Sequence, residues 1–199
     1  MHRIKLYSIM DYSVNEGLFA KAVVLVEGDI GRAGILAASE NNGLSLDDRG
    51  VSVIRCRGKA NLARLAIIFR MFGIETYIVW DADQGKRGNP KEIEQRARGN
   101  RELQRVVGWD ASCALTTRIE DGFACIETDL EQQVKVEMGD FHGRSMETTL
   151  DRYGMSGKDK AIKHHVVSTD MLIEGQAYGA TSPTLDAIIK KIAKLMERL

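Results

Sequence analysis

The sequence carries no excess of charge: 28 Lys and Arg are set against 28 Asp and Glu. Whole-chain attraction to nucleic acid or to an anionic membrane surface is thereby excluded, and any such preference has to come from local segregation of charge. Long apolar runs are missing too. None approaches the roughly 20 residues needed to cross a bilayer, so no membrane association is expected. The start, Met1-His2-Arg3-Ile4-Lys5, lacks the apolar stretch and cleavage site of a secretory signal. Cysteine is scarce. Cys56, Cys113 and Cys125 are odd in number and show no C-x-x-C spacing, which speaks against a disulfide framework and against a cysteine zinc site. They are expected as buried fillers in a protein of the reducing cytoplasm. His164-His165 has no second His four residues away, so zinc is not expected there either.

What is present has globular composition. The 199 residues are 44% hydrophobic and 28% charged, which suits one domain, or one domain with a small appendage, built on a sizeable core. Ala22-Val23-Val24-Leu25-Val26 has no polar alternation, as expected of a strand covered on both faces in a parallel sheet. Residues 33–42 read as a helix closing at Gly43, and Val51-Ser52-Val53-Ile54 as a second strand. Residues 58–72 carry Leu62, Leu65, Ala66, Ile68, Phe69 and Phe72 at helical spacing, with Gly73 as the cap. Tyr77-Ile78-Val79-Trp80 is the third strand, ending in Asp81-Ala82-Asp83. This alternation predicts right-handed βαβ crossovers: an α/β fold with a parallel sheet flanked by helices. Residues 84–105 hold seven Lys and Arg against three Glu and read as a flexible basic loop leading into a helix. A strand over 122–126, a short helix from Asp129, helices within 145–173 and a last amphipathic helix after Ser182-Pro183 complete the expectation.

Ligands of open α/β sheets sit beyond the carboxyl ends of the strands. Glu27 ends the first strand here, and Asp81 and Asp83 end the third. Alternation along an extended backbone would aim both aspartates to one side. Three converging carboxylates repel one another unless a cation sits between them, and clusters of oxygen ligands suit Mg²⁺ or Mn²⁺.

The order of these motifs resembles the TOPRIM domain. Glu16-Gly17-Leu18-Phe19-Ala20-Lys21 before Val23-Val24-Leu25-Val26-Glu27-Gly28, then Gly50-Val51-Ser52-Val53-Ile54 before Gly58-Lys59-Ala60-Asn61, resembles the TOPRIM region of the OLD (overcoming lysogenization defect) family of ATP-dependent endonucleases. The resemblance implies a TOPRIM-like catalytic domain over 21–140, preceded by a lead-in of 1–20 and followed by a helical extension of 141–199 packing on it. It implies Mg²⁺ or Mn²⁺, one or two ions, on Glu27, Asp81 and Asp83, for hydrolysis of DNA phosphodiesters. A later acid of the family matches Glu131 in Leu130-Glu131, with Asp129 or Glu127 as substitutes, and its distal lysine matches Lys163, with Lys160 second. The family usually has an acid four residues after the first Glu, where this chain has Gly31; Asp29 lies closer. The resemblance also implies an ABC-type ATPase domain or subunit as partner, since this chain has no Gly-x-x-x-x-Gly-Lys-Ser/Thr, a role in defence against phage or foreign DNA, and possible homo-oligomers.

The basic residues fit such a site. Arg55, Arg57, Lys59, Arg64 and Arg70 follow one another without an intervening acid. Arg57 and Lys59, at a strand's carboxyl end, together with Lys86 and Arg87, are expected to track a phosphate backbone. Two other functions remain open. A topoisomerase or primase relative is one, although no tyrosine stands in a recognisable nucleophile context. A catalytically impaired TOPRIM-like module that binds nucleic acid or a partner is the other, and Gly31 favours it.

Overall fold

Five residues with no exposed side chain among them, Ala22–Val26, form strand β1 in the interior of the sheet. In the computed structural model, which describes residues 10–155, 163–177 and 179–199, β1 is flanked by β2 (Val51–Arg55) and β3 (Glu75–Asp81), both parallel to it. Strand β5 (Phe123–Ile126) pairs in parallel with β3, and the two-residue β4 (Arg118–Ile119) pairs antiparallel at the edge, giving the order β2-β1-β3-β5-β4. The uninterrupted apolar run is explained by helices on both faces. Val24, Val26, Tyr77 and Val79 face one core, shared with α2 (Asp29–Asn41), α5 (Leu130–Met138), α6 (Asp140–Arg152), α7 (His165–Ala177) and α8 (Pro183–Met196). Val23, Leu25, Ile78 and Trp80 face the other, shared with α1 (Tyr12–Gly17), α3 (Lys59–Met71) and α4 (Pro90–Val106). Each Val or Leu buried here stabilises the fold by about 1.5–3 kcal/mol relative to exposure.

Residues beyond 141 share the core of Val24 and Val26 through Met146, Leu150, Met171, Leu172 and the expected stripe of α8, Leu185, Ile188, Ile189 and Ile192. Two polar devices hold α8 in place. Ser182 caps it and also donates to Glu137 of α5 at 2.6 Å, while the Thr184 backbone N–H donates to the same carboxylate. At the other end Asp121 faces Lys191, Lys194 and Arg198. No helix among the described residues is long and apolar enough to cross a membrane.

Several local expectations need correction. Helix α2 begins at Asp29, four residues before the apolar periodicity does, because its first turn is polar and partly exposed. Helix α4 starts at Pro90, so much of the basic segment is helix; the start is set by a capping box between Asn89 and Glu92 with Pro in the first turn. Helix α1 and strand β4 were not expected, both being too short for periodicity to register. Cys56 and Cys125 are buried, but Cys113 is exposed.

Candidate functional site

Parallel pairing of β1 with β3, Val26 opposite Val79, brings their carboxyl ends to one edge of the sheet. Glu27 follows β1 directly and Asp81 is the last residue of β3. Extended alternation stops there. Asp83 has φ +54°, and its N–H donates to the Thr128 carbonyl at 2.8 Å. The two aspartates therefore make separate contacts: Asp81 Oδ1 accepts from the Leu130 N–H at 2.9 Å, at the start of α5, while Asp83 faces Lys59 and Lys86. Asn100 of α4, buried, clamps the bend by donating from Nδ2 to the Ala82 carbonyl at 2.8 Å.

The link after β2 adds a cation. Arg57 at φ +59° and Gly58 at φ +110° turn the chain so that Lys59 opens α3. The Gly58 N–H donates to the Glu27 carbonyl, and Cys56 N–H to that of Val26. Lys59 Nζ lies 2.5 Å from Asp83 Oδ2 and 3.3 Å from Glu27 Oε2, with its side chain 6% exposed.

Burial pushes the Asp81 carboxyl up to about 7, and the charge of Glu27 adds to the rise against the opposing Leu130 hydrogen bond. Burial also raises Glu27, partly offset by Lys59. Asp83 is raised by burial but held below the usual range by its hydrogen bonds and charge pairing with Lys59 and Lys86. The raised Asp81 carboxyl has a stability consequence. Folded Asp81 keeps a proton that the unfolded chain has released, so its contribution is fully present below the unfolded value of about 4 and lost as pH rises through about 7. Urea unfolding of the metal-free protein and of Asp81→Asn, compared at pH 5 and pH 8, should show the variant gaining on the unmodified protein as pH rises. A difference that stays constant with pH refutes the assignment.

The remaining expected residues divide. Asp129 lies close enough to raise the Asp81 carboxyl, and it also caps α5 by accepting from the Gln132 N–H. Glu131 is exposed and borders an apolar pocket with Ile30, Gly34 and Val134. Glu127 is exposed. Lys163 is exposed in the turn before α7 with no ion pair to Glu27, Asp81 or Asp83 among the described residues, and Lys160 lies outside them. Asp29 is engaged by Arg55. Gly31 lies inside α2 with ordinary helical φ, and a Cβ there would meet Val26 Cβ at 3.4 Å, so no turn demands glycine. Among the basic residues, Lys59 is turned inward on carboxylates, Arg57 pairs with Asp11 at 3.1 Å, and Arg70 is tied to Thr76 and to the Val106 carbonyl. Lys86 and Arg87 are exposed beside the site, with the Arg96 guanidinium bonded to both their carbonyls. Sequence reasoning missed Asn100, for which a polar residue inside a basic helix offered no signal, and the pairing of Lys59, which its position beside a strand end only hinted at.

The donor set suits a hard divalent cation. Glu27 Oε2 is buried without a hydrogen bond, and the charges of Glu27, Asp129 and Asp83 all raise Asp81, so added positive charge at this edge would be stabilised. Among the described residues, however, no three such side chains already converge as a metal cage, and the space between Glu27 and Asp83 is taken by the Lys59 ammonium.

A largely parallel sheet with Glu after β1 and Asp-x-Asp at the end of the neighbouring β3 defines a TOPRIM-type α/β domain. Residues 18–83 match the family described as "Overcoming lysogenization defect protein-like, TOPRIM domain". The fold is similar to the C-terminal region of the Xanthomonas campestris pv. campestris OLD protein, with TM-score 0.53 and 15% identity over 92% of this chain and 97% of that one. It is similar also to the C-terminal region of the Burkholderia pseudomallei OLD protein, with TM-score 0.54 and 18% identity over 90% of this chain and 98% of that one. Comparison with curated proteins finds no match.

Proposed function

We propose that this protein is a divalent-metal-dependent endonuclease that hydrolyses DNA phosphodiesters, working with an ABC-type ATPase domain or subunit in defence against phage or foreign DNA. The observation that carries the proposal is that Glu27 follows β1 and Asp81 and Asp83 lie at the end of the adjacent parallel strand β3, in a chain whose residues 18–83 match the OLD-like TOPRIM family. Glu27, Asp81 and Asp83 would hold Mg²⁺ or Mn²⁺, with Asp129 beside them. When bound, such ions activate a water and stabilise the leaving oxygen of a phosphodiester. Lys86 and Arg87, exposed next to Asp83, would take the phosphate backbone. Lys163 would offset charge developing at the phosphate.

The impaired, binding-only module keeps one observation in its favour: Gly31 supplies no carboxylate, and Asp29, the nearest alternative, is engaged by Arg55. Supercoiled plasmid separates the two. With Mn²⁺ the protein should convert it to nicked and linear forms, and EDTA should stop the conversion. Plasmid binding without cleavage at millimolar Mn²⁺ would establish the binding module instead.

A further inference from the structure

Lys59 stands where a lysine is poorly placed by local rules. It is the first residue of α3, and the partial positive charge of a helix N-terminus disfavours a cation in the first turn. Its side chain is nearly closed to solvent, 6% exposed against 57% for Lys86, which shares the Asp83 carboxylate. Burying an ammonium is costly unless it is paired, and the pairing is unequal. The contact with Asp83 is a short hydrogen bond of 2.5 Å, whereas Glu27 is held more loosely, accepting from Lys59 at Oε1 over 3.5 Å while its Oε2, 3.3 Å away, accepts no hydrogen bond.

The stem is held as firmly as the head. At Gly99 the backbone of α4 lies directly on Lys59, and a Cβ there would sit 2.9 Å from Lys59 Cβ and 3.2 Å from Cδ. The ammonium is thus delivered between Glu27 and Asp83 by a packed side chain rather than by a mobile arm. No three carboxylates meet around an open centre among the described residues, and Lys59 occupies the intervening space.

We infer that Lys59 is a built-in counter-cation of this site, bridging Glu27 and Asp83 in the metal-free protein and competing with a divalent cation for the same two carboxylates. The inference rests on the metal-binding part of the function proposed above. It makes Lys59 a positioning residue that lowers metal affinity below what the carboxylates alone would provide. A merely structural lysine would stabilise the fold and leave metal affinity unchanged or raise it.

Calorimetric titration with Mn²⁺ alone, on the unmodified protein and on Lys59→Met and Lys59→Arg, reads the difference, together with thermal unfolding in EDTA. Met keeps the stem and removes the charge; Arg keeps the charge. Lys59→Met should bind Mn²⁺ on the order of tenfold more tightly, since a competing positive charge is gone, while unfolding at a lower temperature in EDTA. Lys59→Arg should bind no more tightly than the unmodified protein. Equal or weaker Mn²⁺ binding by Lys59→Met, with the unmodified protein still binding, overturns the counter-cation and leaves the nuclease proposal standing. If neither protein takes up Mn²⁺, the metal site itself fails and the inference falls with it. Should Lys59→Met be unfolded in EDTA, refolding by Mn²⁺ at concentrations below those that half-saturate the unmodified protein supports the inference, and failure to refold at saturating Mn²⁺ overturns it.

Discussion

Replacing Asp81 and Asp83 together by Asn is expected to abolish Mn²⁺-dependent plasmid nicking, a loss beyond the roughly 10–100-fold that follows when only the outer partners of metal ligands are removed. Asn preserves the shape of each side chain and removes the charge that holds a cation. The two positions differ in what else they lose. Asp81 is raised to about 7, so a neutral amide costs the metal-free fold little. Asp83 is the short-range partner of Lys59 and Lys86, so Asp83→Asn leaves a nearly buried ammonium with only the more loosely held Glu27 carboxylate at 3.3 Å, and that single variant should be the less stable of the two. Circular dichroism of each single variant, run beside the nicking assay, separates lost chemistry from lost fold. Undiminished nicking by the folded double variant would remove these carboxylates from the mechanism.

The second large effect is expected at a residue that touches no metal. Asn100 donates to the Ala82 carbonyl from a buried position on α4, and Ala82 lies between the two aspartates. Asn100→Leu would remove the donor and leave that carbonyl without its side-chain partner, a loss of about 1–3 kcal/mol for an unsatisfied buried group. The bend at Asp83, with φ +54°, would lose the clamp that holds it against α4. Mn²⁺ affinity should fall by roughly 10–100-fold, as for other positioning contacts behind a metal site, with DNA binding in EDTA little changed because Lys86 and Arg87 remain exposed. Unaltered Mn²⁺ affinity in Asn100→Leu would show that the bend is held by its backbone bonds to Thr128 and Glu127 alone.

The sequence by itself determined the parallel sheet, its three leading strands and the acids at the ends of two of them. Those features depend on local patterns: an apolar run with no alternation cannot be left exposed on either face, and a charged residue that ends such a run must lie at the sheet's edge. The stripe of α8 was legible for the same reason, with Ile188 and Ile192 fully buried as spaced. The tertiary structure alone decided which charges meet. Lys59 and Glu27 are 32 residues apart and Lys59 and Asp83 are 24 apart. Their pairing depends on the turn at Arg57 and Gly58 and on the bare backbone of Gly99, neither of which leaves a periodic mark. Extended alternation mispredicted Asp83 because a long-range ladder, Asp83 to Thr128 and Gln84 to Glu127, bends the chain out of the strand conformation. Burial patterns are written into neighbouring residues, whereas a pairing of charges is a property of the space between elements, and only the folded chain brings those elements together.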